Sequence, residues 1–366
     1  MMILNDEQRM LRDTIADFLA KESPVEALRA LRDQAPELAW EPSLWSGLCE
    51  LGAPAVASSE AEGGLGFGQV GMGALILETG RTLCASPLLS SAIHAQAVIR
   101  HCGSPAQIER RLPGLLSGDT VASVAVQEGS KFRPVPRGTR RHGNTLSGDK
   151  SLVMDAGAAD YLLVSALDEA DQFCIAVVPL NTAGLTIQSQ RLMDGRQYGS
   201  VALENVEVEE WLEGDAVEQG FTRALDEATI MLCCEMLGAS RELLERTVAY
   251  LQEREQFDVK IGTFQALQHR LATAYCELEL AAASVFNALL AMDKGETVLS
   301  EHASKAKALV GDILQHLSNE AVQMHGGMGV TDEMDIGLFL KRSRTCNQLF
   351  GNSAFHRNRF ATLRGF

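Results

Sequence analysis

Two short runs of residues could do chemistry together. The first is Arg254-Glu255-Gln256-Phe257, followed by Ile261-Gly262-Thr263-Phe264-Gln265. An arginine where a long helix ends, then a glycine loop, then a new helix, can grip a pyrophosphate. The guanidinium offers a planar fork of donors, and the helix N-terminus adds partial positive charge. A surface arginine paired with Glu253 or Glu255 would read the same way. The second run is Gln323-Met324-His325-Gly326-Gly327-Met328-Gly329-Val330. Paired glycines let a backbone approach a ligand closely, although a helix cap also uses one glycine. His269 and His325 sit beside or inside these runs, where packing or a backbone hydrogen bond accounts for a histidine.

Three zones must position these residues. Residues 1–118 read as helices. Asn5 caps the first, which carries Met10, Leu11, Ile15, Phe18 and Leu19 at helical spacing. Gly63, Gly64, Gly66 and Gly68 form a loop, and an apolar helix through Leu75, Ile76 and Leu77 runs on until Pro87 ends it. Residues 119–213 carry short β-branched runs at Thr120–Val126, Tyr161–Ser165, Phe173–Val178, Leu185–Ile187 and Ser200–Leu203. Gly143-Asn144, Gly148-Asp149 and Asp194-Gly195 punctuate them, which predicts an antiparallel β domain. Residues 214–366 return to long helical periods, Phe221–Glu253, Phe264–Met292, Ser300–Met324 and Asp335–Leu349, the pattern of a four-helix bundle. The fold class expected is therefore α+β. Gly66, Gly68 and Gly71 match G-x-G-x-x-G, but no strand precedes them, so a Rossmann dinucleotide site is excluded.

The 366 residues are 46% hydrophobic, enough for a sizeable core, and carry a formal charge of −16. An acidic surface of that size repels nucleic acid and anionic lipid at long range. It does not exclude an anionic ligand, because a local cluster of arginines still binds phosphate. The eight cysteines, Cys49, Cys84, Cys102, Cys174, Cys233, Cys234, Cys276 and Cys346, form no C-x-x-C pair and no zinc spacing. Reduced thiols in a cytoplasmic protein fit them best. The N-terminal residues show no signal-peptide pattern, and no uninterrupted apolar run reaches the ~18 residues of a membrane span.

Taken together, R-x-Q-F, F-Q about seven residues later and Q-x-H-G-G-x-G about sixty residues on resemble the acyl-CoA dehydrogenase family. The order of the three zones agrees, as does Glu62-Gly63-Gly64-Leu65-Gly66 before a helix ending in Glu78-Thr79-Gly80-Arg81. The resemblance covers nearly the whole chain. It implies FAD as cofactor and an acyl-CoA thioester as substrate. Arg254, Gln256, Phe257, Gln265, Gln323, Gly326 and Gly327 would contact the ADP half of an FAD that belongs mainly to the neighbouring subunit. An electron-transfer acceptor is also implied.

Other family landmarks are altered. The family's T-E-P-x-A-G-S-D loop corresponds to Val126-Gln127-Glu128-Gly129-Ser130. The segment beside the flavin ring corresponds to Leu152-Val153-Met154-Asp155, with a thioether where a threonine hydroxyl is usual. The base that takes the α-proton is usually a glutamate just before a glycine near the C-terminus. That position is Phe350, followed by Gly351. Other members place the base about 26 residues before the R-x-Q-F arginine, which is Ala228. No residue stands out as the base; Glu227 and Glu235 are the alternatives, and Glu235 reads more readily as a paired structural carboxylate. Asp226 matches an aspartate near the substrate, while the arginine usual three residues later is Thr229.

The chain thus looks like the small subunit of a heteromeric acyl-CoA dehydrogenase, of the kind that acts on steroid side chains or dicarboxylic acyl-CoA thioesters. It would supply the ADP grip to a catalytic partner. A self-sufficient homomer with a displaced base, and a non-catalytic binding protein of the same fold, are the alternatives.

Overall fold

The computed structural model describes residues 3–34, 38 and 40–366. In chain order it has α1 (Asp6–Glu22), α2 (Val25–Gln34), α3 (Pro42–Glu50) and α4 (Gly68–Arg81), then a π-helical segment Leu88–Ala95 leading into α5 (Gln96–Cys102) and α6 (Pro105–Ser117). The strands are β1 (Ala122–Ala125), β2 (Arg140–His142), β3 (Thr145–Met154), β4 (Tyr161–Leu167), β5 (Phe173–Pro179), β6 (Leu185–Arg191), β7 (Gln197–Glu207) and β8 (Glu210–Leu212). After α7 (Val217–Glu253) come a small hairpin, β9 (Glu255–Gln256) and β10 (Val259–Lys260), and then α8 (Gln265–Asp293), α9 (Leu299–His325), α10 (Ile336–Gln348) and α11 (Ser353–Arg364). The order helical, β, helical is as expected, and α11 is a further helix beyond the four anticipated.

The chain forms two compact units. The first comprises Met1–Ala30, Gln69–Cys84 and Ile230–Phe366. Its start is a capping box: Asn5 accepts from Gln8 N, and Gln8 returns the bond to Asn5 N, satisfying two amides that the helix leaves open. Its middle depends on glycine. A Cβ at Gly80 would lie 2.0 Å from the Glu235 carbonyl oxygen, and one at Gly238 would lie 1.9 Å from that of Leu77. Two reciprocal glycines thus let α4 and α7 pack backbone to backbone. Gly238→Ala forces them apart, and we expect a loss of about 1–3 kcal/mol, the usual range for overpacking. Urea unfolding measures it, and an unchanged midpoint would show that the helices are not in that contact.

α4 stops at Arg81 rather than at Pro87; Leu83 already has φ +55. By length and composition alone α8 could cross a membrane, but Glu277 and Glu279 interrupt its apolar run, in keeping with the absence of a continuous apolar stretch in the sequence. Half of its most apolar window is buried inside the bundle. The rest leaves Tyr275 and Leu280 exposed.

The second unit comprises Leu31–Gly68 and Ala85–Thr229. Its sheet runs β6-β7-β3-β2-β4-β5-β8, with β1 added on β4. The expected antiparallel domain is corrected to a mixed sheet, because β1 and β2 both pair parallel to β4. Residues between β1 and β4 fold into β2 and β3, and so long a connection lets the chain return in the same direction. Gly148-Asp149, read as a turn, lies inside β3. Gly148 is glycine because a Cβ would meet Thr139 Cα at 2.6 Å. One face buries Val124, Leu163, Ile175 and Val177 with Phe221 and Ala224, and the other buries Leu146, Leu162, Val164 and Val201.

Candidate functional site

At one end of the helical unit, both chemical runs meet. α7 ends at Glu253, and Arg254 N donates to Tyr250 O at 2.9 Å while Arg254 O accepts from Ile261 N at 2.9 Å. These bonds anchor the β9–β10 hairpin. Its two-residue loop, Phe257-Asp258, has φ +57 and +59, the sign pattern of a type I′ turn. Asparagine and glycine favour that turn. Here a phenylalanine occupies it at 84% exposure, with its ring edge-on to Phe264 at 6.1 Å. A bulky residue held in left-handed backbone and left in solvent is the kind of strain that marks a functional surface.

The glycine run joins this end through Tyr250. The Tyr250 ring stacks on His325 at 4.2 Å between centroids, and its hydroxyl lies 3.4 Å from His325 O. His325 is buried, with Nδ1 2.8 Å from Ala321 O, as expected of a packed histidine. Burial lowers its pKa. Immediately after it, Gly326 has φ +60 and ψ −139, and a Cβ on Gly326 or Gly327 would meet nothing. α8 and α9 form an antiparallel hairpin crossed by Arg270–Glu320, N to O 2.5 Å, and Gln265 and Gln323 both lie beyond that pair at its open end. His269 is exposed, one turn along α8.

Three groups at this end are unused. Arg254, Gln265 and Gln323 are exposed, and their side chains make no hydrogen bond or ion pair among the described residues. One carboxylate that could have neutralised Arg254 is otherwise disposed: Glu255 pairs with Lys260 at 2.8 Å. The Gln256 amide turns back to Glu255 O at 2.9 Å. An unpaired guanidinium, two free carboxamides and two open glycine backbones fit the phosphate and adenosine groups of a dinucleotide.

The carboxylates considered as bases are committed elsewhere. Glu235 and Arg342 form a buried fork: Nε to Oε1 2.9 Å and Nη2 to Oε2 3.2 Å, with side chains 5% and 2% exposed. Glu227 Oε1 takes Arg223 Nε at 3.1 Å and lies 3.0 Å from His101 Nε2. Asp226 is buried and partnered, and the Thr229 hydroxyl donates to Leu225 O at 2.7 Å. Ala228 is fully buried.

Phe350 is buried in left-handed backbone, φ +57, and Gly351 follows at φ +97. This turn is held from beneath by groups that sequence reasoning missed. Lys307 Nζ donates to Cys346 O at 2.9 Å and Gly351 O at 3.0 Å, and His356 Nε2 lies 3.0 Å from Phe350 O. Burial pushes the Lys307 ammonium down to about 8 and the His356 ring down to about 3. The signal available was a lone lysine on the apolar face of α9, among Ala303, Ala306, Val310 and Leu314. Thus the turn is built with care, yet presents no proton acceptor.

In the β-rich unit, Leu152 and Asp155 bracket the end of β3 with φ +54 each. Asp155 accepts from the Ser90 hydroxyl, and Met154 O accepts from the Ser123 hydroxyl. Met154 lines a cavity of about 20 Å³ with Ala85, Leu89 and Tyr198. All eight cysteines are free, and Cys276 alone among them is exposed.

Comparison with known proteins agrees with this architecture. The acyl-CoA dehydrogenase N-terminal domain matches residues 5–119 and the acyl-CoA dehydrogenase C-terminal domain matches residues 219–362. Acyl-CoA dehydrogenase IpdE2 of Mycolicibacterium smegmatis is 30% identical over 352 residues, which cover 95% of this chain and 96% of that one. Among solved structures, a variant of the Tcur3481-Tcur3483 steroid ACAD superposes with a TM-score of 0.90 at 27% identity, covering 98% of both chains. The ChsE4-ChsE5 complex from Mycobacterium tuberculosis gives 0.89 at 22% identity over 99% of this chain and 98% of that one, a likeness of fold. Proteins of this kind bind FAD and act on acyl-CoA as oxidoreductases. On its sequence and its fold, the chain belongs to the acyl-CoA dehydrogenase family.

Proposed function

We propose that this chain is the non-catalytic subunit of a cytoplasmic, heteromeric acyl-CoA dehydrogenase, and that it grips the ADP half of an FAD whose ring is held by a catalytic partner. The observation that carries this reading is a contrast within one unit. The end bearing Arg254, Gln265, Gln323, Gly326 and Gly327 is open and unpaired. The base position is a buried phenylalanine.

Bound FAD would supply the hydride acceptor for α,β-dehydrogenation of an acyl-CoA thioester. The residues of this chain bind and orient. Arg254 would take the pyrophosphate with its planar fork, Gln265 and Gln323 would add neutral hydrogen bonds, and Phe257 would present an apolar ring beside them. The α-proton finds no acceptor at Phe350, so the base comes from the partner chain. Glu227 and Glu235, each already engaged by arginine, do not favour a displaced base. The apolar side chains left exposed on α8 and on the hairpin suit a subunit interface. An electron-transfer acceptor completes the cycle. Two of the solved relatives are named as two-chain assemblies, one of them a steroid ACAD, and steroid side-chain thioesters are the substrate class we favour.

Turnover with an artificial electron acceptor tests the reading. The chain alone should be inactive, and Phe350→Glu should leave it inactive, because Met154 still stands where a flavin contact is needed and catalysis requires base and flavin on opposite sides of the substrate. Co-purification with its natural partner should restore activity. FAD-dependent turnover by homomeric Phe350→Glu would sink the partner requirement.

A further inference from the structure

We propose that the loop from Gly129 to Gly138 is an anion-recognition edge, and that Lys131, Arg133 and Arg137 take the phosphates of the CoA half of the substrate. The proposal rests on the acyl-CoA reading and assigns these residues to one part of that molecule.

The loop is built rather than loose. Glu128, at its base, uses both carboxylate oxygens to close it. Oε2 accepts from Arg137 N and Gly138 N, each at 2.8 Å. Oε1 accepts from Thr139 N at 3.0 Å, the Thr139 hydroxyl at 2.7 Å and Lys150 Nζ at 3.1 Å. Lys150 is itself buried, and it also donates to Val126 O and Ser165 Oγ. Burial pushes the Glu128 carboxyl up, but the Gly138 amide, the Lys150 ammonium and the Thr139 hydroxyl outweigh it and hold it at about 2. At the other end, the Ser151 hydroxyl donates to Gly129 O at 2.7 Å.

Between these pins the side chains alternate. Phe132 packs against the core of the sheet, Pro134 is half-buried and Pro136 is buried. Lys131, Arg133, Val135 and Arg137 are exposed. The even positions anchor the loop, so the odd positions are presented at little further entropic cost, which is what preorganised binding needs.

What is presented is cationic only. No carboxylate occurs from Gly129 to Gly138. Among the described residues, the side chains of Lys131, Arg133 and Arg137 make no hydrogen bond or ion pair. That is unusual in this molecule, where most arginines are paired and acidic residues outnumber basic ones by 48 to 32. CoA carries a pyrophosphate and a 3′-phosphate, so a chain of net charge −16 repels it unless a local cluster reverses the field. Beyond a Debye length of ~8–10 Å the distant carboxylates are screened, and at the base of the loop the Glu128 charge is offset by Lys150, which leaves three unpaired cations on one short loop to meet an approaching phosphate. Two of them are arginines, whose fork matches phosphate oxygens.

Titration of the full chain, as purified with FAD and its partner, with CoA, 3′-dephospho-CoA and pantetheine separates the outcomes. The triple variant Lys131→Gln, Arg133→Gln, Arg137→Gln should bind CoA at least about tenfold more weakly, with a smaller loss for 3′-dephospho-CoA and none for pantetheine. Raising salt should weaken CoA binding more in the wild type than in the variant. FAD content and thermal midpoint should be unchanged, since the substituted groups are exposed and unpaired. Unaltered CoA affinity in the variant overturns the proposal while leaving the acyl-CoA reading intact. Loss of FAD with CoA affinity retained overturns it too, by assigning the loop to the cofactor. Failure of the wild type to bind CoA at all would remove the acyl-CoA reading itself.

Discussion

Replacing Arg254 by alanine should weaken FAD retention by the assembled enzyme about tenfold to hundredfold, and should leave this subunit as stable as before. The side chain is exposed and takes no partner among the described residues, so the folded chain loses nothing when it goes. An exposed substitution of this kind changes stability by no more than about 0.5 kcal/mol. A charge-assisted contact with a pyrophosphate, in contrast, is worth roughly 1.5–3 kcal/mol. Stability and affinity therefore separate.

Two companions sharpen the result. Arg254→Lys keeps the charge without the fork and should recover part of the affinity. Gln323→Ala removes a neutral contact and should show a smaller loss in the same direction. The competing reading, a surface salt bridge, is already weakened because Glu255 is taken by Lys260. FAD per complex at limiting FAD, together with the thermal midpoint, decides the matter. Full flavin occupancy in Arg254→Ala would remove the main support for a grip from this subunit.

Much of this end of the molecule was legible in the sequence. Long apolar periods placed α7, α8 and α9 within a few residues of their ends, because helical burial repeats at a spacing that a sequence displays. The motif at Arg254 and the motif at Gln323 were visible as separate runs. What joins them was not. Tyr250 and His325 lie 75 residues apart, and nothing local announces that one ring stacks on the other. The strained Phe257 hairpin was also hidden, since its turn lacks the Asn-Gly chemistry that would reveal it.

The sheet was less readable for a different reason. β3 carries a glycine that looks like a turn but exists to admit Thr139, and parallel pairing of β1 and β2 with β4 depends on where a long connection returns. α11 was missed because few apolar residues mark its face; it buries Ser353 and His356 instead. Lys307 shows the same limit at the base position. A buried cation that holds carbonyl groups is chosen by a turn more than thirty residues away.

Glu235→Ala should cost the chain about 3–5 kcal/mol, a large share of the ~5–15 kcal/mol that holds a typical domain together. The carboxylate and the Arg342 guanidinium are both almost fully buried and meet through two hydrogen bonds. Removing one partner leaves the other charge inside the unit with its best acceptor gone, and that stranded charge, more than the lost attraction, sets the penalty. Arg342→Ala should do comparable damage from the other side. Replacing both at once by Leu and Met, which restores apolar packing and removes both charges together, should return stability to near the original or above it. Urea midpoints of the three variants give the comparison. The same residue also tests the displaced-base alternative. If Glu235 took the α-proton, Glu235→Gln would abolish turnover in the complex even where the protein remained folded. If it is the structural partner of Arg342, turnover per folded complex should persist while the midpoint falls, because the uncharged amide still fills the space but no longer neutralises the guanidinium.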